Sequence, residues 1–312
     1  MDVMQQPRLS VGIISAGAVG TALAEKFLQA GHVVHGVVAP SDRSRRRAAE
    51  RIPRVPVVSL EDAAQAALVI IAVPDPQLVE VIDQVAEVTR DGQIVAHTSG
   101  AHGCAVLQPV TDTGAIPLAL HPVMTFGGSE EDCVNLTGCA WGITSDSEVG
   151  QAVAELLVAS LDGVAISIPE DKRAAYHAAV AYAANYVVTL LSDAQRMLDY
   201  VLAEGTEGDG KNCGSSFPPP MNNPHSARLL RTIVPAAVNK AFDQRMCGMT
   251  GPVARDDAPA VLRHIDALRE LEDNTHGMNF SAAYIPMAER TAQLLHSLEV
   301  ERVLAEYTRR LR

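Results

Sequence analysis

The feature that most constrains this chain is the alternation in its first half. Short β-branched runs, "LSVGII", "HVVHGVVA", "ALVIIAVP" and "QIVAHTSGA", are separated by helical patterns: "VGTALAEKFLQAG", a polar stretch at 42–51 and a segment around 78–88. Strand, helix and strand at this spacing predict parallel βαβ units with helices on both faces of one sheet. Gly31 is the stop signal of the first helix. Three more strand candidates, "GAIPLALHP", "CAWGITSD" and "VAISIP", extend the sheet to about Pro169. Beyond Pro169 the pattern changes. Residues 170–202 read as one long alanine-rich helix, 226–246 as a second, 251–271 as a third, and the C-terminus as one or two more. The expected architecture is α/β at 1–169 followed by an all-α domain at 170–312. Between the first two helices, 204–225 holds glycine, serine and three consecutive prolines, so a flexible loop is expected there.

The first strand runs into Ser15-Ala16-Gly17-Ala18-Val19-Gly20. It looks like a dinucleotide-binding fingerprint, G-x-G-x-x-G, with serine at the first glycine. The three glycines of that motif have separate tasks: a tight turn, close backbone approach to a pyrophosphate, and packing of helix on strand. Gly17 and Gly20 retain the last two. Ser15 suits the turn if its φ stays negative, and the helix start still offers free N–H groups to an anion. A plain strand–helix corner is the bland alternative. The position of the motif, after a strand and opening a βαβ unit, favours the nucleotide.

The end of the second strand then selects the cofactor. An NAD site places a carboxylate there for the ribose hydroxyls. This chain has Val38-Ala39-Pro40-Ser41-Asp42-Arg43-Ser44, with no acid at the strand end. Ser41, Arg43 and Ser44 are placed for a 2′-phosphate, so NADP(H) is the expected cofactor. Asp42 is a contrary sign unless it caps the helix. Arg45, Arg46 and Arg47 point in three directions and read mostly as surface. The strands counted fourth and fifth end in Val73-Pro74-Asp75 and in His97-Thr98-Ser99-Gly100. Val73, Pro74, Asp75, Ser99 and Gly100 therefore join the expected cofactor site at the carboxyl edge.

Composition excludes other classes. The 312 residues are 47% hydrophobic, which favours two packed domains over one. A net charge of −12 repels phosphate backbones, and 4% aromatics leave little to stack bases, so nucleic acid is not an expected partner. The five cysteines, 104, 133, 139, 213 and 247, form no paired spacing, so no metal and no disulfide framework is expected, and reduced thiols in a cytoplasm are the simplest reading. No signal-peptide pattern and no membrane-spanning run is seen, so no membrane partner is expected.

Reducing a carbonyl or imine requires a proton source and donors for the developing charge. The long helix carries Lys172, Tyr176, His177 and Asn185. Lys172 and Tyr176 share a face, and His177 and Asn185 lie about 12 Å apart along the axis. Histidine's ordinary pKa suits proton transfer near neutrality. A single histidine in such a helix is as readily a hydrogen-bonded core residue, and Lys172, in the first turn, reads as solvated surface. His121 either faces the cleft or ends its strand. Thr250 precedes a helix. Arg255 either binds a substrate carboxylate or pairs with Asp256 or Asp257.

The stretches "SAGAVG", "AVPD", "HTSGA", "ALHPVMTF", "YHAAVAYAANYVVTL" and "MTGPVARDD", in that order, resemble a family of Rossmann-like proteins whose C-terminal helical half is a domain of unknown function. That family is related to pyrroline-5-carboxylate reductase, ketopantoate reductase and the 3-hydroxyacid dehydrogenases. The resemblance covers nearly the whole chain, and the 204–225 segment departs from it as an insertion. It implies a Rossmann parallel sheet that binds NADP and a C-terminal all-α domain like that of 6-phosphogluconate dehydrogenase. It also implies a homodimer formed through the helices. It supplies no substrate. Two functions follow: an NADP-dependent oxidoreductase reducing a small oxo- or imino-carboxylate, with His177, Asn185, Lys172 and His121 as catalytic candidates and Thr250 and Arg255 for the substrate, or a non-catalytic NADP-binding sensor or partner module.

Overall fold

A computed structural model describes residues 8–203, 223–273 and 279–310. The elements run β1 (Ser10–Ile14), α1 (Ala18–Gln29), β2 (Val33–Val38), α2 (Asp42–Arg51), α3 (Leu60–Ala63), β3 (Leu68–Ile71), α4 (Asp75–Ala86), β4 (Ile94–His97), α5 (Gln108–Thr111), β5 (Ile116–Pro122), α6 (Glu131–Asn135), β6 (Ala140–Ser145), α7 (Glu148–Ser160) and β7 (Val164–Ser167). The helical part follows as α8 (Arg173–Leu202), α9 (Pro224–Gln244), α10 (Ala258–Asp273), α11 (Ser281–Leu295) and α12 (Leu298–Arg310). The strands ending at Ile71 and His97, counted fourth and fifth from the sequence, are the third and fourth.

All seven strands form one sheet in the order β2-β1-β3-β4-β5-β6-β7. Every pair is parallel except β5–β6, where His121 lies opposite Gly142. The sheet is thus mostly parallel, as its βαβ units imply, with one antiparallel pair. The chain between those strands carries one short helix, α6.

Alternate residues of the central strands feed opposite faces. Ile13, Leu68 and Ile70 pack on one side with Leu23 and Phe27 of α1 and Leu157 and Val158 of α7. Ile14, Val69 and Ile71 pack on the other with Leu78 and Ile82 of α4. These strands are buried on both faces, which is why they read as unbroken β-branched runs. Gly12 has no room for a side chain, since a Cβ would lie 1.9 Å from the Ala63 carbonyl oxygen.

Contacts divide the chain into two compact units, Met1–Ala184 and Asn185–Arg312, so the start of α8 clusters with the sheet. In the second unit, Val261 and Ile265 of α10, Ala288 and Ala292 of α11, and Val300 and Leu304 of α12 form the core. The expected third helix begins later than its pattern suggested. Val253–Arg255 is a 3-10 turn that ends at Asp256 with φ 53°, and α10 starts only after Asp257, whose carboxylate accepts from Ala260 N at 3.1 Å. Most of the 204–225 segment lies outside the described residues; its last residues already belong to α9, capped by Asn223 on His225 N. Among the described residues, no helix is long and apolar enough to cross a membrane.

Candidate functional site

The carboxyl ends of β1, β3, β4 and β5 open on one edge, with the order reversal between β1 and β3 at its centre. At that reversal the chain leaves β1 through Ser15, Ala16 and Gly17 into α1. Ser15 takes φ 95°, in the region that favours glycine, so the expectation of a negative angle is corrected. The sharp turn is imposed from behind: a Cβ on Gly20 would lie 1.9 Å from the Ser15 carbonyl oxygen, so α1 sits directly against the turn. Gly17 stands at the N-cap, and no side chain caps this helix or puts an acid in its first turn. The opening N–H groups, around Ala18 and Val19, are thus left for an external anion. The start of α4 is similar, with Pro74 at its cap, no capping side chain, and Asp75 exposed in its first turn after Val73.

The end of β2 differs from its expected role in detail. Ser41 and Ser44 are bound to each other: Ser44 N donates to Ser41 Oγ at 3.1 Å and Ser41 N to Ser44 Oγ at 3.0 Å, a reciprocal cap on α2. Ser44 is buried. Asp42 does not cap the helix; it pairs with Arg45 at 2.8 Å, and Arg45 also donates to the Ala39 and Pro40 carbonyls. Arg45 therefore braces the strand end. Arg43 is exposed, with no ion-pair partner among the described residues.

Further along the edge, the chain after β4 and the start of α8 build a polar cluster. Arg173 is almost wholly buried and donates to the carbonyls of His102 (2.8 Å), Gly142 (3.1 Å) and Ser99 (3.4 Å). Burial holds its pKa below the usual value. Glu170, just before α8, accepts from Cys104 N at 2.7 Å and Ala105 N at 3.1 Å. His97 is fully buried; its Nε2 reaches the Gly103 carbonyl at 2.8 Å and its Nδ1 accepts from Ser99 N at 3.1 Å. Burial lowers its pKa to about 4, against a smaller upward effect of the Gly103 bond. His121, at the end of β5, has Nδ1 2.7 Å from the Tyr176 hydroxyl, and its ring meets that of His177 edge-on at 5.9 Å. Burial, then the nearby Arg173, lower the His121 pKa to about 4. Gly100 lets the two imidazoles close in: a Cβ there would lie 2.6 Å from His177 Cδ2 and 3.0 Å from His121 Nε2.

The structure thus brings together His121, His177, Ser99 and Gly100 of the expected residues. Lys172 stands outside this cluster, in the 3-10 turn before α8, and pairs on the surface with Asp171 at 2.9 Å. Asn185 is exposed on α8 and clusters with the second unit. Thr250, in that unit, borders a cavity of about 480 Å³ together with Ile233, Lys240 and Arg245. Arg255 is exposed at the end of its 3-10 turn. The acids beside it are engaged elsewhere, Asp256 on Glu299 N and Val300 N, Asp257 on Ala260 N.

Arg173, Glu170 and His97 were not singled out from sequence. A signal existed for the first: Arg173, Tyr176 and His177 fall at i, i+3 and i+4, a polar stripe in the alanine-rich opening turns of α8.

A doubly wound sheet, a glycine-bearing turn at its reversal point and an uncapped helix behind that turn define a Rossmann-like domain, and the model of that name matches residues 1–122. The model of a domain of unknown function (DUF2520) matches residues 139–298, half of the chain, and the chain belongs to that family. A comparison with curated proteins finds no significant match. Among solved structures, a Bacteroides fragilis protein provisionally named an NADP oxidoreductase aligns with TM-score 0.66 at 18% identity, over 94% of this chain and 98% of its own. A pyrroline-5-carboxylate reductase of Coxiella burnetii aligns at 0.55 and 14% identity, over 91% and 99%. Plasmodium falciparum pyrroline carboxylate reductase, solved with NADP bound, aligns at 0.52 and 12% identity, over 96% of each chain. At these identities the likeness is one of fold.

Proposed function

We propose that the protein is an NADP(H)-dependent oxidoreductase acting on a small oxo- or imino-carboxylate. The observation that carries this reading is the uncapped start of α1 behind the Ser15–Gly20 turn, at the reversal point of the sheet. That arrangement fits a pyrophosphate: free N–H groups, a favourable helix dipole and no acid in the first turn of α1. The exposed Arg43 after β2, with no carboxylate at the strand end, favours the 2′-phosphate of NADP over a bare ribose. The cofactor supplies a hydride to the carbonyl or imine carbon. The protein supplies what remains: a proton for the oxygen or nitrogen, which yields an alcohol or amine, and donors that steady charge on that atom. His121 and His177, at the same edge, are the groups suited to that work. A homodimer formed by the helical unit belongs to the same proposal, as does the small-molecule partner.

Calorimetry with the two reduced cofactors tests the reading. NADPH should bind more tightly than NADH, and Arg43→Ala should remove most of that difference while NADH binding survives. Equal affinities for the intact protein, or no binding of either, would overturn it.

A further inference from the structure

Tyr176 and His121 form a pair whose proton arrangement follows from their surroundings. At 2.7 Å, either the phenol donates to Nδ1 or the imidazole N–H donates to the phenol oxygen. Two observations decide between them. First, the Tyr176 hydroxyl has no other hydrogen-bond partner among the described residues, and the side chain is half-buried. Burial raises its pKa, against a smaller lowering by Arg173, so the hydroxyl keeps its proton. If Nδ1 donated, that proton would be left without an acceptor among the described residues, which is costly where the hydroxyl is packed this closely: a Cβ on Gly142 would lie 2.4 Å from its oxygen. Second, His121 Nε2 has no hydrogen-bond partner among the described residues, and it lies on the face the ring shares with Gly100 and His177.

We infer that Tyr176 holds His121 in the Nε2–H tautomer, so that an uncharged imidazole offers one N–H donor to a substrate carbonyl oxygen. The inference rests on the oxidoreductase reading and narrows its substrate class. An N–H donor matches a carbonyl, which only accepts. It opposes a protonated imine, whose nitrogen is itself a donor and carries positive charge. The surrounding charges agree. From α8 the cation Arg173 stands beside the ring with Tyr176 and His177, and Asp75 at the start of α4 is the acid acting on it. Arg173 is spent on three carbonyls, and the carboxylate of Glu170 on two backbone N–H groups. Neutral imidazoles that polarise a carbonyl without giving up a full charge are an established catalytic device. His121 would touch the substrate; Tyr176 acts through it as a positioning residue.

Long-range nitrogen-15 spectroscopy of the histidine side chains in the full-length protein reads the tautomer directly, with His121→Gln assigning the signal. The expected result is the Nε2–H form of His121 at neutral pH, collapsing to a mixture of tautomers in Tyr176→Phe. An Nδ1–H tautomer or a protonated ring in the unmodified protein overturns the inference, and that outcome does not depend on whether Tyr176→Phe folds. With NADP+ present, oxamate, a carbonyl-bearing mimic of a 2-oxo acid, should shift the Nε2 resonance. Proline, whose ring nitrogen is a cationic donor, should not; the reverse pattern overturns the substrate class. Failure of the oxidoreductase reading is seen separately, as absence of nucleotide binding by calorimetry with the tautomer unchanged.

Discussion

Ser15 carries a side chain through a backbone angle that glycine adopts without cost. Its φ of 95° is imposed by α1, whose Gly20 allows no retreat. Such a conformation costs an L-residue about 1–2 kcal/mol, offset in part by the larger entropy a glycine loses on folding. Ser15→Gly should therefore stabilise the protein by about 0.5–1 kcal/mol in a urea melt, whereas Gly20→Ala should destabilise it markedly. His97 and His121 give a pH dependence of definite sign. Both have folded pKa values near 4, below the ordinary 6.5, so each stabilises the fold fully above about pH 6.5 and loses that contribution as pH falls toward 4. The slope is about 1.4 kcal/mol per pH unit for each histidine between those limits. Urea melts at several pH values should show it, and His97→Gln should remove one share. At the reacting edge, His177→Ala should cut NADPH-dependent turnover of a 2-oxo acid by at least about tenfold and leave NADPH affinity within a few-fold, since only the first requires the imidazole. Single residues were legible in unequal measure. Gly17 and Gly20 announce themselves because their motif is local. The partnership of His121 with Tyr176 spans 55 positions of chain, and no local pattern encodes it. The reciprocal cap of Ser41 and Ser44 was legible in principle, because two hydroxyls three residues apart at a helix start can satisfy each other.

Elements were read more easily than their directions. The runs that became β1, β3 and β4 are buried on both faces, which makes them visible as apolar segments, and α8 shows itself by length and alanine content. The reversal at β6 was not visible, since a strand's composition is the same whichever way it runs. The join between sheet and α8 depends on Glu170, which holds the N–H groups of Cys104 and Ala105 and thereby fastens the 3-10 turn at Cys104–Leu107 to the approach of α8. A bond to a carboxylate contributes about 1.5–3 kcal/mol when made, less where it is exposed as at Ala105 N, and the loss of this one leaves the part-buried Cys104 N without its partner. Glu170→Ala should accordingly lower stability by about 2–3 kcal/mol, and Glu170→Gln by less, because one oxygen acceptor remains. Guanidinium-induced unfolding of the three proteins checks the order.

For the whole molecule, the second unit leaves much apolar surface uncovered. Val188 and Leu190 of α8, Leu229 and Ile233 of α9, and above all Phe242, 82% exposed, lie in water in a single copy of the chain. Exposed large apolar side chains on these helices are what an interaction surface is made of. Light scattering at micromolar concentration should report a dimer, and Phe242→Asp should shift it to monomer with its helix content intact. One modest contact within this unit has a wider consequence. The hydroxyl of Ser226, at the start of α9, is bound to the carboxylate of Asp199, near the end of α8, with both side chains buried. The two helices are thus stapled on either side of residues 204–222, and the staple does not depend on what the chain does in between. Lengthening a connection whose ends are already fixed costs little, about 0.6 kcal/mol for each doubling. Evolution could therefore rewrite this stretch freely from one lineage to the next, and a protein engineer can use the same position as a grafting port for a reporter or an affinity peptide while Asp199 and Ser226 keep the frame closed.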